Sequence, residues 1–416
     1  MPKYSHPAAQ ALFPLPDLND CDSVRSGAER LQEFLVSCRR HIHQHPEVGF
    51  EEFQTALFVR SILEEAGLQV HEATETGTWV EIEGALPGPT LAYRADLDAL
   101  PIPDAKGASY SSKHSGVAHL CGHDAHTTIA VAVALLAQRF SEKLNGRLRV
   151  FFQPNEEGVP SGAPRMIEAG ALNDVSAVFG IHLDPTLDSG RFGLIRGPVT
   201  ATSDRFDLHI ETPKSLHSAR PHTGTDSVWL ATQIAQALYG LAGRTTDARV
   251  PIVLSICRLR AGKAYNVIPK SVELGGSVRC GENDARAPFR KKMEEVAQSI
   301  AGVHGATARF TWFEGSPAMF NDASLVDVAE STLRRLFGDQ AIHAIEKPSM
   351  GAEDFAYYQE VTAGAMLRVG SRCSEATSHQ LHSTLFDLDE ALLSRTAATM
   401  TSIVFDRAGL PQSADD

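Results

Sequence analysis

The segment HLCGHDAH, residues 119–126, concentrates three histidines, a cysteine and an aspartate in a chain with 17 His and 6 Cys in total. Cys121 and His123 offer a thiolate and an imidazole, which are ligands of zinc and of related divalent metals. Both lie in a glycine-containing loop before a predicted helix. Two donors cannot complete a metal site, so other parts of the chain must supply more. We expect the flanking His119 and His126 to support the site by packing or hydrogen bonding.

Further ligands can come from four positions that are all predicted to lie in loops. They are Glu156 and Glu157 in PNEEG, His182 in GIHLDP and His382 in HQLHSTLFD. Taken alone, each of these is more often a structural or solvated residue than a ligand. Together they supply nitrogen, oxygen and sulfur donors with one spare carboxylate, which is the combination that a hydrolytic metal site requires.

The adjacent carboxylates Glu156 and Glu157 indicate how such a site could handle protons. Neighbouring residues on an extended segment point to different sides, so one carboxylate can bind metal while the other faces the substrate. The alternative is a solvated acidic turn. A second alternative makes Cys121 a nucleophile, but such an enzyme needs one histidine base oriented by Asn or Asp and leaves the glutamate pair unexplained.

Alternating strands and helices are predicted to position these loops. The runs TWVEIEG, TLAYRADL, RLRVFFQ and AVFGIHL are typical of strands, and apolar residues at helical spacing predict helices over 28–43, 52–67 and 124–140. This order predicts an α/β fold with a mostly parallel sheet. The polar clusters RADLD, PNEEG and HLDP follow three of the strands, at the sheet edge where such folds bind ligands.

From residue 199 the pattern changes to strand, helix, strand, strand, helix, strand over about 115 residues. This βαββαβ order is that of a ferredoxin-like domain. The α/β pattern returns afterwards, with a predicted strand at AMLRVG and a last helix from about residue 390 to 405. We therefore predict a discontinuous catalytic domain, 1–198 and 316–416, with an inserted domain at 199–315.

Composition limits the possible functions. A chain of 416 residues exceeds the size of one core, about 250 to 300 residues, which favours two domains. The net charge of −13 predicts no binding to nucleic acid, and no apolar run is long enough for a membrane helix. The N-terminal stretch MPKYSHPAAQALFPLPDLND does not resemble a secretion signal, and the scattered cysteines do not resemble a disulfide framework, so we expect a cytoplasmic protein.

A family resemblance extends across nearly the whole chain. The motifs that carry it, between residues 39 and 390, are RRHIHQHPEVGFEE, RADLDALP, HLCGHDAHT, QPNEEG, GIHLDP, HSARPHTGTD, NVIP, PSMGAEDFAYY and LHSTLFDLDE. The chain resembles the hippurate hydrolase and auxin-conjugate amidohydrolase group of the aminoacylase and carboxypeptidase family of dinuclear metallopeptidases. The resemblance implies a catalytic domain with two divalent metals, a ferredoxin-like lid that usually dimerises, and hydrolysis of N-acyl amino acids.

The motifs show which residues of this chain match the family's functional residues. The implied metal ligands are Cys121, His123, Glu157, His182 and His382, and the implied general base is Glu156. Asp98 in RADLDALP matches the family's ligand-orienting carboxylate, and Asp96 lies close to it in sequence. A histidine ligand needs an acceptor to fix its tautomer, so this role for Asp98 is chemically reasonable. The alternative is an aspartate that caps a turn at the end of a strand.

In the inserted domain the resemblance implies residues that reach the substrate. His217 and Asn266 match residues that in many relatives act across a dimer, and Arg279 is suited to bind a substrate carboxylate through two hydrogen bonds. We expect His222 and Glu353 also to line the cleft. Asp354 is expected beside Glu353 in the cleft, and the alternative for both is that they only stabilise their loop. For His41, His43 and His45, which lie in a family motif, we favour a structural role.

One departure from the family pattern affects the loop around His217. This chain has SLH where relatives usually show a glycine before that histidine, so the loop conformation there could differ.

The main hypothesis is an amidohydrolase with two divalent ions per subunit, drawn from Zn, Mn, Co and Ni, that acts as a homodimer on N-acyl amino acids or related small amides. A dipeptidase or carboxypeptidase with the same site is the second hypothesis. A metal-storing or ligand-binding module is the third, but such a protein has no need of Glu156 beside Glu157.

Overall fold

The computed structural model describes residues 14–410, so most of the N-terminal stretch considered above lies outside it. Within that range, no helix combines the length and the apolar character that crossing a bilayer demands. The chain forms two compact units. Unit 1 comprises Met1–Gly197, Phe320–Glu346 and Tyr357–Asp416, and unit 2 comprises Pro198–Met319 and Lys347–Ala356.

The elements are numbered here in chain order. The helices are α1 (Val24–Gln44), α2 (Phe53–Glu65), α3 (His123–Arg139), α4 (Ala163–Glu168), α5 (Ser227–Tyr239), α6 (Asn283–Val303), α7 (Ala323–Phe337), α8 (Ala356–Gln359) and α9 (Leu392–Ala408). The strands are β1 (Val70–Glu72), β2 (Thr78–Glu83), β3 (Leu86–Asp96), β4 (Asn145–Gln153), β5 (Val175–Asp188), β6 (Phe192–Leu194), β7 (Gly197–Pro198), β8 (Asp204–Glu211), β9 (Leu216–His217), β10 (Ile252–Ala261), β11 (Val267–Ile268), β12 (Ser271–Cys280), β13 (Thr307–Phe313), β14 (Phe320–Asn321), β15 (Ile342–Ala344) and β16 (Ala363–Arg372).

The sheet of unit 1 has eight strands in the order β1-β2-β4-β3-β5-β16-β6-β15. Its centre is parallel, because β3 pairs in parallel with both β4 and β5, and β5 pairs in parallel with β16. The predicted α/β class with a mostly parallel sheet is confirmed. Parallel strands run towards the same edge, so the polar residues after β3 and β4 are brought to the same side of the sheet as the polar residues in the second half of β5. His182, predicted to lie in a loop, is part of β5, because that strand continues to Asp188.

Helix α3 shows why unit 1 packs as it does. Fifteen of its residues, from His123 to Ala137, are buried, including a continuous run of small and β-branched apolar side chains. The helix contacts α1 and α9 on one side and β3 and β4 on the other. It is therefore a central helix buried on all sides, and its first turn, at His123, starts at the ligand-binding edge of the sheet.

Unit 2 has a four-stranded sheet in the order β10-β12-β8-β13, with α5 and α6 packed against it. All three strand pairings are antiparallel. The chain order βαββαβ with this strand order is the ferredoxin-like arrangement expected from the sequence. Its core is a cluster of its own, including Phe206, Leu208, Leu274 and Met293.

The bounds of the inserted domain differ from the predicted 199–315, because unit 2 runs from Pro198 to Met319 and includes a later segment. The contacts group Lys347–Ala356 with unit 2, whereas the sequence placed all of 316–416 in the catalytic domain. The reason is backbone pairing: the Ser349 N–H donates to the Val199 carbonyl (2.9 Å), and the Ala201 N–H donates to the Gly351 carbonyl (3.0 Å). Such pairing between distant segments leaves no periodic signal in the sequence.

Helix α6 begins at Asn283, so Pro288 lies inside the helix and not at its first position, which is where proline is most common. Tertiary contacts hold the first turns in place of the hydrogen bond that Pro288 cannot donate. Arg286 donates to both carboxylate oxygens of Asp204 at 2.9 and 2.6 Å, and the Ala318 N–H donates to Asn283 Oδ1 at 2.7 Å.

Candidate active site

Cys121 and His123 are separated by a glycine that the backbone requires. Gly122 has φ of +90°, in the left-handed region, and it precedes the first residue of α3. A Cβ atom here would lie 2.6 Å from the Leu183 side chain, so a larger residue would both strain the backbone and clash. This turn presents the Cys121 thiol and the His123 ring from the two sides of Gly122, at the buried end of α3.

Asp98 holds His123 in a defined orientation. The Nδ1 atom of His123 lies 2.9 Å from the Asp98 carbonyl and 3.2 Å from Asp98 Oδ1. The other carboxylate oxygen of Asp98 accepts the backbone N–H of Glu157 at 3.0 Å. A single buried carboxylate therefore orients the imidazole and also fixes the loop 154–158 that carries Glu156 and Glu157, called here the glutamate loop. His123 Nε2 is left to face the site.

The glutamate loop leaves the end of β4 through an unusual backbone turn. Asn155 has φ of +50°, a left-handed conformation that asparagine tolerates better than most residues. Its N–H donates to Glu52 Oε1 at 2.9 Å, and its side chain donates to the Pro160 carbonyl at 2.7 Å. Glu156 and Glu157 follow directly, each partly buried.

His182 and His382 approach the same place from two further elements. His182 lies in β5, its Nδ1 atom is 2.8 Å from the Leu183 carbonyl, and its Nε2 atom is 3.5 Å from Cys121 Sγ. His382 has φ of +65° and donates its N–H to the Leu120 carbonyl at 2.7 Å. Its Nε2 atom lies 3.0 Å from Glu157 Oε1, although the two atoms are not aligned as a hydrogen bond.

The donor atoms of the six predicted residues form three overlapping groups within unit 1. In each group, all three potential ligand atoms lie within 4.8 Å of one another: Cys121 with His123 and His182, Cys121 with Glu157 and His382, and His123 with Glu156 and Glu157. His123 Nε2 and Glu157 Oε1 are buried and make no hydrogen bond to the described residues, although Asp96 Oδ2 lies 3.6 Å from the first atom and His382 Nε2 lies 3.0 Å from the second. Buried polar atoms without a hydrogen bond are rare, so this donor set fits divalent metal ions.

The electrostatics of the site agree with that fit. Burial raises the pKa of the Cys121 thiol well above its usual range, and the charge of Glu157 raises it further. A bound cation reverses this preference, because a coordinating thiol is deprotonated. Burial also acts to raise the pKa of Asp98, but the hydrogen bond and charge of His123 outweigh burial and lower it, so Asp98 stays an acceptor.

Two histidines of the opening segment are placed differently from the donors. His126 uses both ring nitrogens, since Nδ1 lies 2.8 Å from Asp96 Oδ1 and Nε2 accepts the Leu183 N–H at 3.1 Å. Both ring nitrogens of His126 are therefore engaged by the protein, although a potential ligand atom of His126 also lies within 4.8 Å of those of Asp96 and His123. His119 is 1% exposed, and neither of its nitrogens has a partner within the part of the chain that the structure describes.

In unit 2, the structure brings together two of the residues predicted to contact substrate. His217 in β9 pairs with Val267 in β11, and the Ser218 N–H donates to the Asn266 carbonyl at 3.0 Å. His217 Nδ1 accepts the Ala219 N–H at 3.1 Å, so in the neutral ring the proton lies on Nε2. His217 and Asn266 are both exposed.

The residue before His217 is where the sequence departs from the family pattern. Leu216 is 4% exposed and pairs with Ile268. Its side chain lies where a Cβ atom on Gly224 would come within 2.8 Å. The leucine therefore anchors this loop by packing, which a glycine could not do.

The remaining predicted residues of unit 2 lie on separate elements. Arg279, in β12, donates Nη1 to the Met350 carbonyl at 3.0 Å and is partly buried. His222 lies in the exposed 3₁₀ turn Pro221–Thr223. Glu353 and Asp354 are each 2% exposed, and Glu353 Oε1 accepts the Phe355 N–H at 3.1 Å, which stabilises the loop before α8.

Sequence reasoning gave no role to a buried charged network behind the site. Arg39 Nε donates to Asp124 Oδ2 at 2.8 Å, and His43 Nδ1 lies 2.7 Å from the same oxygen. Arg39 also contacts Asp387 and Glu390. The structural role expected for His43 is consistent with this position. The signal was present in the motif RRHIH, but its partners lie far along the chain.

An α/β sheet that carries Cys, His and Glu donors at one edge, with a ferredoxin-like insertion, defines a class of metallohydrolase. Residues 92–406 match the profile of peptidase family M20/M25/M40. The chain belongs to this family and is therefore a metal-dependent enzyme of the amidohydrolase and peptidase type.

Three relatives are similar to this chain over most of its length. N-acetylcysteine deacetylase of Bacillus subtilis is 38% identical over 361 residues, which cover 86% of this chain and 93% of the relative. Thermostable carboxypeptidase 2 of Saccharolobus solfataricus is 32% identical over 377 residues, which cover 89% of this chain and 95% of the relative. The crystal structure of a dinuclear metal-binding M20 peptidase from Bacillus subtilis has a TM-score of 0.80 at 34% identity and covers 91% of this chain and 99% of its own.

Proposed function

We propose that this enzyme hydrolyses the amide bond of N-acyl amino acids, within the hippurate hydrolase and auxin-conjugate amidohydrolase group of its family. The observation that carries the proposal is the convergence of five donors with a sixth, adjacent carboxylate: the ligands would be Cys121, His123, Glu157, His182 and His382, with Glu156 beside them. The deacetylase relative supports the N-acyl substrate class.

The five donors would hold two divalent ions. When bound, these ions would polarise the scissile carbonyl and lower the pKa of a water molecule from about 15.7 towards 7. Cys121 belongs to two of the three donor groups, which together supply sulfur, nitrogen and oxygen ligands. This mixture suits Zn, Mn, Co or Ni. Asp98 keeps the His123 ring in the orientation that presents Nε2.

Glu156 performs the proton transfers in this proposal. Its carboxylate accepts a proton as water attacks the carbonyl carbon, and it then delivers that proton to the amide nitrogen as the C–N bond breaks. The products are a carboxylic acid and a free amine, so one carboxylate serves both steps. Glu157, occupied as a ligand, is not available for this task.

In unit 2 we propose that Arg279 binds the substrate carboxylate and that His217 stabilises the oxyanion of the tetrahedral intermediate. Asn266 would assist His217, since the two segments are hydrogen-bonded to each other. His222 and Glu353 are proposed to contact the substrate. The enzyme is further proposed to act as a homodimer through unit 2 and to work in the cytoplasm.

A second candidate is a carboxypeptidase or dipeptidase with the same site, favoured by the carboxypeptidase relative. The two candidates differ in whether the acyl portion of the substrate carries a free amine. Purified enzyme should be stripped of metal, refilled separately with Zn, Mn, Co or Ni, and assayed on hippurate, N-acetyl amino acids and dipeptides. We expect fastest turnover of an N-acyl amino acid, and turnover of dipeptides alone would favour the second candidate.

The contrast between the two glutamates tests the assignment directly. Glu156→Gln should keep both metals and lower kcat by a factor of about 10² to 10⁴, because it removes only the titrating group. Glu157→Gln should instead lower metal occupancy, measured by elemental analysis. Full activity after exhaustive chelation, or near-normal turnover by metal-loaded Glu156→Gln, would refute the proposal.

A further inference from the structure

The glutamate loop contains a backbone N–H, that of Asn155, for which the sheet offers no hydrogen-bond acceptor. Gln153 is the last residue of β4, so the Asn155 N–H lies beyond the ladder of strand hydrogen bonds. Asn155 is 7% exposed, and water therefore has little access to it. Leaving a buried N–H without an acceptor costs about 1 to 3 kcal/mol, so an acceptor must be supplied from elsewhere.

Glu52 supplies that acceptor from the segment before α2. Its Oε1 atom accepts the Asn155 N–H at 2.9 Å, and its Oε2 atom accepts the Thr76 hydroxyl at 2.9 Å. Glu52 is fully buried, and the charge of nearby Asp98 is unfavourable to it. Burial raises the pKa of Glu52 to about 7. Two donors, the Asn155 N–H and the Thr76 hydroxyl, hold the carboxyl group in this buried place.

The same segment confines the Asn155 side chain by shape. A Cβ atom added at Gly49 would lie 1.7 Å from Asn155 Oδ1, and one added at Gly158 would lie 2.1 Å from the same atom. Asn155 therefore fits between two glycines while Glu52 holds its backbone. Its left-handed φ directs the chain immediately before Glu156.

The segment also contacts the backbone beside Asp98, the residue that orients His123. The Ala99 N–H donates to the Glu47 carbonyl at 2.8 Å, and Val48 forms a parallel bridge with Ala99, the residue after Asp98. Residues 47–52 thus bind both the Asp98 segment and the glutamate loop. The motif HPEVGFEE, residues 45–52, therefore connects the backbone beside Asp98 with the backbone before Glu156.

We propose that Glu52, with Gly49, is a positioning residue that acts through Asn155 to set Glu156 in place for proton transfer. This inference rests on the proposed function. A displacement of about 1 Å at a reacting group can lower a rate by about 10². Removing the acceptor should therefore lower kcat about tenfold to a hundredfold while KM changes by less than about threefold.

The decisive experiment compares four variants of the full chain at saturating metal, assayed on the best N-acyl amino acid substrate. Glu52→Ala should lose kcat, whereas Glu52→Gln should retain it. The glutamine carbonyl can accept the Asn155 N–H, and the Thr76 hydroxyl can rotate to accept from the amide. Gly49→Ala should also lose kcat, because its Cβ displaces Asn155. Gly302→Ala is the matched control, since a Cβ there meets no atom within 4 Å.

Thermal denaturation and metal content separate positioning from damage. We expect each variant to melt cooperatively and to bind the same amount of metal as the wild type at saturation. If Glu52→Ala fails to fold, Gly49→Ala decides the question. Normal kcat in Glu52→Ala and Gly49→Ala, equal losses in Glu52→Ala and Glu52→Gln, or a loss matched by a lower metal content would overturn the inference. Glu156→Gln is measured in parallel as a separate test of the proposed function. Near-normal turnover by this variant would refute the proposed function, whatever the Glu52 variants show.

Discussion

Individual residues at this site act through the partners that orient them. Asp98 contacts His123 with one part of its carboxyl group and the Glu157 backbone with the other, so a single side chain aligns two proposed ligands. Glu52 acts in the same way on Asn155, one residue before Glu156. Such supporting partners commonly affect metal affinity or activity tenfold to a hundredfold when they are removed, about as much as some ligands do.

The raised pKa of Glu52 predicts a pH dependence of stability at the residue scale. Burial raises its pKa from the ordinary 4.5 to about 7, so the folded chain binds a proton that the unfolded chain releases. Its contribution to stability is complete below pH 4.5 and is lost as pH rises through about 7. Glutamine has no proton to lose.

Urea unfolding of wild type and Glu52→Gln at several pH values between about 4.5 and 8 should therefore show the wild type losing free energy of unfolding relative to the variant as pH rises. A difference between the two proteins that stays constant, or that changes in the opposite direction, would contradict the raised pKa.

At the scale of elements, α1, α3 and the segment before α9 are joined by buried charge. Arg39 on α1 is fully buried, and it contacts Asp124 on α3 together with Asp387 and Glu390. The charges of these carboxylates outweigh the effect of burial and raise the pKa of the guanidinium further above its ordinary value. The network therefore fixes the first turn of α3, which begins at His123.

Arg39→Ala should lower the free energy of unfolding by about 3 to 5 kcal/mol, because it leaves Asp124 buried without its cation. Chemical denaturation measures the change. Arg25→Ala is the control: its side chain is 68% exposed and pairs with Glu29 one turn away, so its loss should change stability by less than about 0.5 kcal/mol. Equal stability of the two variants would show that the buried network contributes little.

At the scale of the whole molecule, residues 14–410 contain two separate cores, each built around its own sheet. The sheet of unit 2 leaves β10 as an edge strand, and Val253 and Leu259 on that strand are 40% and 53% exposed. An exposed edge with apolar side chains favours association with another chain.

We therefore expect light scattering at micromolar concentration to give a mass of twice the 44.9 kDa chain. Replacing Leu259 with lysine should shift the population towards the monomer, while Lys263→Ala, in an exposed loop near the strand, should not. A strictly monomeric wild type that is fully active would remove both the dimer and any role for His217 across it.

The sequence by itself determined the type and order of the main elements and the set of candidate donors. Periodicity is a local property, so β4, β5, α3 and the βαββαβ insertion could be predicted within a few residues of their observed bounds. Donor chemistry is also local: Cys121, His382 and the pair Glu156 and Glu157 could be proposed as candidate ligands because of their residue types and predicted loop positions. The choice of Glu157 over Glu156 came from the family resemblance.

Only the tertiary structure decided which residues support those donors. The hydrogen bond from Asn155 to Glu52 joins positions 103 residues apart, and that from Arg39 to Asp124 joins positions 85 apart. The assignment of 347–356 to unit 2 depends on similar long-range backbone pairing. A buried acceptor is defined by the donor that packing brings to it, and no spacing within either segment specifies that partner.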